Sequence, residues 1–125
     1  MEVLTKQQLL ERGRSLAFED VPAPECGLNG DCPTIRVQEL TARAREAWGG
    51  FAFEADPESK ANRARPDFRV RLVLHTAVTA TGERLFADDD LDLVAALSGA
   101  LVDRLAAAAI RLNALGGDQD ELVKN

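Results

Sequence analysis

The sequence predicts an α+β fold: a single, mostly helical domain with a short β-hairpin near the N-terminus. Three observations carry this reading. Two short segments alternate apolar and polar residues on either side of a breaker-rich loop, as hairpin strands do. The last third repeats apolar residues at helical spacing, with acids and a serine at the starts. The length of 125 residues and the 46% hydrophobic content suit one domain that buries its own core.

The first helix is predicted over residues 6–12. Thr5 is the N-cap and Gln8 stands three residues later, which makes a capping box. Leu4 and Leu9 occupy staple positions and Gly13 is the stop. So short a helix is unstable alone and must dock on something. SLAFEDV follows as a strand, with Leu16 and Phe18 on the buried face. Pro22 to Pro33 is the loop, and TIRVQEL is the second strand, with Ile35 and Val37 inward. One edge of this hairpin needs cover from a helix or a second subunit.

Thr41 caps a second helix whose stripe is Ala44, Ala47, Trp48 and Phe51, weakened at its end by Gly49 and Gly50. The polar stretch EADPESKANRARPD reads as a loop or short helical turn. Residues 68–79 alternate cleanly through Phe68, Val70, Leu72, Leu74, Thr76 and Val78, yet the same run fits a helix buried on most sides, and periodicity does not separate the two. A turn falls at Gly82. Asp88 to Asp90 open a helix with the stripe Leu91, Val94 and Leu97. Ser98 caps the last helix, which buries Leu101, Leu105, Ala108, Leu112 and Leu115 and stops at Gly116 and Gly117. The domain thus covers residues 1–117, and 118–125 form a polar, mobile tail.

Composition limits the chemistry. Fifteen basic and 21 acidic residues leave a net charge of -6, which disfavours a general nucleic-acid binder. No stretch reaches the ~20 apolar residues of a membrane span, and the N-terminus has no secretory signal, so the expected location is the cytoplasm. Cys26 and Cys32 share one loop with Glu25 and Asp31, acids that raise rather than lower a thiol pKa. They read as free thiols. His75 is the only other soft ligand, so no metal site is expected. His75 has no evident triad partner, the phosphate-binding glycine motifs are missing, and no cofactor or catalytic residue is expected. Trp48 reads as core rather than ligand platform. The sharpest feature is charge asymmetry: five bases and one acid between Lys60 and Arg71, against eight acids and three bases from Asp88 to Asn125. Lys60, Arg63, Arg65, Arg69 and Arg71 are the candidate partner-binding residues. The plainer reading is a solvated face and helix-end electrostatics.

The order of segments resembles the tail assembly chaperones of long-tailed bacteriophages and prophages. IRVQELTARAREAW (35–48) is similar to that family's strand-to-helix passage. GERLFADDDLDLV (82–94) is similar to its Gly-x-Arg-Leu-Phe segment and acidic helix start. LSGALVDRLAAAAIRLNALGG (97–117) is similar to its last helix, and the ending Glu121 to Asn125 to its close. The chain departs from the pattern at Cys26, where the family commonly has Trp, at Gly49 and Gly50, and at Ala114. The resemblance implies a non-enzymatic protein that coats the tape measure protein while the tail tube protein polymerises around it, and that leaves the mature virion. It also implies self-association and a longer form made by ribosomal frameshifting, for which Lys124 and Asn125 mark a slippery stretch. It favours a helix for residues 68–79. The alternative is a small head–tail connector or tail completion protein.

Overall fold

The computed structural model describes residues 1–58 and 61–113 of the chain. Helix α1 (Lys6–Arg12) has the predicted box: Thr5 Oγ1 accepts from the Gln8 amide, and the Thr5 amide donates to Gln8 Oε1 at 3.0 Å. Strands β1 (Phe18–Pro22) and β2 (Thr34–Gln38) pair antiparallel, with Phe18 opposite Gln38 and Pro22 opposite Thr34. The intervening loop contains a tight turn in which the Asp31 amide donates to the Leu28 carbonyl. Asn29 and Gly30 both have positive φ there, as a mirror-image turn requires. Helix α2 (Ala42–Ala52) starts where Thr41 Oγ1 accepts from the Ala44 amide.

Two short strands follow, β3 (Phe53–Ala55) and β4 (Asn62–Ala64), with Glu54 opposite Arg63. Helix α3 (Phe68–Thr76) then leads into β5 (Ala77–Val78), which adds antiparallel to β2 and gives the sheet order β1-β2-β5. The chain reverses at Gly82, whose φ of 89° suits a residue without Cβ. The return segment covers the far edge of β5, with the Leu85 amide donating to the Ala77 carbonyl. A 3₁₀ turn (Asp88–Asp90) opens α4 (Leu91–Ala95), and Ser98 caps α5 (Gly99–Leu112) through its bond from the Leu101 amide.

Helix α5 packs on β1, β2 and α3, and α3 also touches α2 and α4. The core lies between them and includes Val21, Val37, Trp48, Phe68, Leu72, Val94, Leu101 and Leu105. Trp48 meets Phe68 with ring centroids 5.5 Å apart in a tilted arrangement. Inside the core, Thr76 Oγ1 donates to the Leu72 carbonyl. Asn113 closes α5: its Oδ1 accepts the Leu40 amide, and its Nδ2 donates to the Ala109 carbonyl.

The α+β class and the hairpin with a long loop agree with the sequence reading; the helix favoured for residues 68–79 forms over Phe68–Thr76 only, because Ala77–Val78 add to the sheet as β5. Five other local expectations are corrected. The inward face of β1 is Glu19 and Val21, not Phe18, while Leu16 is partly buried and lies before the strand. Putting Phe18 inside would put Asp20 there too, so Phe18 lies outside beneath the Arg36 guanidinium, 3.9 Å from its ring centroid. Helix α2 runs through Gly49 and Gly50 to Ala52, because Trp48 anchors it. Ala47 is exposed, and Ala44 is only partly buried. The polar stretch after it contains the β3–β4 pair, strands too short to show alternation. Leu97 is exposed rather than buried with Val94. Finally, no residue of α1 is buried, so the docking that the helix needs is not supplied within the described residues of its own chain. Leu115, Gly116, Gly117, the expected tail at 118–125, and the side chain of Phe51 lie outside what is described.

Candidate partner-binding surface

The basic stretch is folded into intramolecular ion pairs. Arg63 and Arg65 both reach Glu54, at 3.5 and 3.7 Å, because the β3–β4 register sets Glu54 opposite Arg63. Arg69, on α3, pairs with Asp103 of α5 at 2.8 Å, and Arg71 pairs with Asp67 one turn earlier at 2.8 Å. Lys60 lies outside the described residues. The four arginines therefore do not form one open cationic field. They sit on the outside of the α3 region, each sharing its charge with a carboxylate that an acidic partner would have to displace. Paired surface ions of this kind add little stability.

A second set of arginines, which the charge count did not single out, ties the hairpin to its surroundings. The Arg104 guanidinium on α5 makes a fork to Glu25 at 2.9 and 3.0 Å and donates to the Pro22 carbonyl at 2.9 Å. Arg111 bonds both oxygens of Glu19 at 3.0 Å. Arg36 makes a fork to Asp20 and donates to the Ala80 carbonyl at 2.8 Å. Bidentate pairs fix orientation as well as charge. The Arg104 hydrogen bonds hold the Glu25 carboxyl below its usual range, as those of Arg36 do for Asp20. Arg104 and Arg111 stand two turns apart on one helix, a spacing legible in the sequence; their partners on β1 and its loop were not.

The chemistry available is limited. His75 is largely buried at the end of α3. Burial first, then the Arg84 cation, pushes its pKa below the ordinary value, while Asp88 opposes this. Cys26 and Cys32 are free and exposed. Among the described residues no group of His, Cys, Asp and Glu could hold a metal ion, and no helix is long and apolar enough to cross a membrane. The surface is instead rich in exposed large apolar side chains. Leu9 (57% exposed) and Leu10 (46%) lie on α1, Phe18 on β1, and Leu93 (63%) and Leu97 at α4. Exposed apolar side chains that cluster are candidates for a contact surface.

No protein-family model matches the chain, and no curated protein matches it. Among solved structures it is similar to the tail assembly chaperone of bacteriophage HK97, with a TM-score of 0.52 at 17% identity, over 86% of this chain and 95% of that one. At that identity the likeness is one of fold. The chain thus has the fold of a phage tail assembly chaperone, in line with the resemblance read from residues 35–48, 82–94 and 97–117.

Proposed function

We propose that this protein is a non-catalytic phage tail assembly chaperone that covers the tape measure protein while the tail tube grows. The observation that carries the reading is the chaperone fold over most of the chain, reached independently of the three sequence segments that resemble the same family. The edge strand β1 suits the task. A long helical protein shows apolar faces until the tube encloses it. Its partner must bind in many copies, each weakly, and leave stepwise as the tube advances. Arg63, Arg65, Arg69 and Arg71, with Lys60, are proposed as contacts to acids of the tape measure protein. The chaperone works in the host cytoplasm, associates with itself, leaves before the virion matures and has a frameshifted longer form.

Co-expression with the cognate tape measure protein tests the reading. The chaperone is expected to keep that protein soluble and to co-purify with it. It is expected to be missing from purified tails. Retention in finished particles would favour a connector or completion protein. An insoluble tape measure protein with no co-purification would reject the chaperone role.

A further inference from the structure

Helix α1 is short and capped at both ends, and none of its residues is buried among the described residues, Gln8 being only partly so. A helix of this length is not stable in water on its own, so its apolar side chains need a surface from outside. Its outward face has a definite chemistry. Lys6, Leu10 and Arg14 recur at four-residue spacing and line one shallow hollow together with Gln7 and Glu11, whose carboxylate accepts from Gln7 Nε2 at 3.2 Å. Arg12 is held by Glu2 at 3.2 Å, whereas Lys6 and Arg14 make no ion pair with any described residue. Elsewhere on the surface, α4 and the turn before it show the complement. Leu93 and Leu97 are exposed four residues apart. Asp88 is taken by Arg84, and Asp90 caps the Ala87 amide, while Asp89 and Asp92 pair with no described cation.

We propose that α1 of one copy docks on the Leu93–Leu97 face of a second copy, with Leu9 and Leu10 against the leucines and Lys6 and Arg14 beside Asp89 and Asp92. This rests on the self-association proposed above and names its surfaces. The two faces are different, so the contact is head-to-tail, and repetition of it gives a ring or an open filament rather than a closed two-fold dimer. The contact is small, since a helix of this size spans only ~10 Å, well under a standard interface. Each joint is therefore weak and reversible, and copies arranged along a line match a long partner.

The test uses the full chain without the tape measure protein, by sedimentation velocity across concentration and salt. The wild type is expected to form species larger than a dimer that shrink as salt rises. Leu10→Asp and Leu93→Asp are both exposed changes, and each is expected to keep the native melting temperature to within about 3 °C and to weaken self-association at least about tenfold. Mixing the two variants is the decisive arm. One keeps an intact Leu93 face and the other an intact α1, so together they form one good joint and stop at a 1:1 heterodimer. A strictly monomeric wild type would overturn this joint while leaving tape measure binding to be read in the co-expression experiment. Wild-type association that survives both variants, or a mixture that stays monomeric, would overturn it as well. Loss of tape measure binding in Leu93→Asp with self-association unchanged would assign the α4 face to that partner and overturn the joint.

Discussion

Replacing Val73 by Ala distinguishes the helical packing of residues 68–76 from the strand that their alternation suggests. In a strand, Val73 stands on the opposite face from Leu72 and Leu74 and meets solvent or a different layer. In the structure Leu72, Val73 and Leu74 are each 0% exposed, three successive buried positions on a helix enclosed by α2, α4 and α5. The substitution deletes two methyl groups. At about 0.8 kcal/mol for each buried carbon the transfer loss is ~1.6 kcal/mol, and the unfilled space adds to it, for about 2–3 kcal/mol in all. For a domain of this size that lowers the melting temperature by roughly 10 °C. Circular dichroism on heating, with urea midpoints at constant slope, measures it. Val70→Ala, at a partly buried site, is expected to cost less than Val73→Ala, the reverse of the strand order. A Val73→Ala change below about 0.5 kcal/mol, the size of an ordinary surface effect, would refute the packing argument.

Two further outcomes follow from buried polar groups. Asn113→Ala strands the Leu40 amide and removes the side-chain one of the two hydrogen bonds that residue 113 gives the Ala109 carbonyl. A loss of about 1–3 kcal/mol is expected in urea unfolding, and Asn113→Asp, which keeps the acceptor, should lose less. His75 has a folded pKa below its unfolded value, from burial and the Arg84 cation. Its contribution is complete above the unfolded value of about 6.5 and is lost as pH falls below that, because the unfolded chain takes up the proton first. The melting temperature should start to fall below about pH 6.5, ahead of the contributions of Asp20, Glu25 and Asp88, whose losses begin only as pH falls through the ordinary carboxylate range and continue down to their lowered folded values. His75→Gln should flatten the first limb only.

Local signals were legible wherever the chemistry is contained within a turn of chain. Thr5 with Gln8, Thr41, Ser98 and Gly82 name their own caps and turn, and the apolar spacing of Leu101, Leu105 and Ala108 names the buried face of α5. The scarcity of His and Cys was also visible without coordinates. The resemblance to tail assembly chaperones also lay in the order of segments. It meets its counterpart in the fold that the chain shares with the HK97 protein.

What the chain could not settle alone depends on distant neighbours. The segment at 68–76 has helical and strand readings of equal local merit, and enclosure by three helices selects the first. Which face of β1 turns inward depends on α5 lying across it and on Arg36 being close enough to cover Phe18. The basic stretch looked like an open surface because its acids, Glu54 and Asp103, come from other elements. By itself the sequence determined the class and the caps. Only the tertiary structure decided which charges are already spent and that the leucines of α1 and α4 remain uncovered, because pairing and burial are properties of the contacts between elements and not of any one of them.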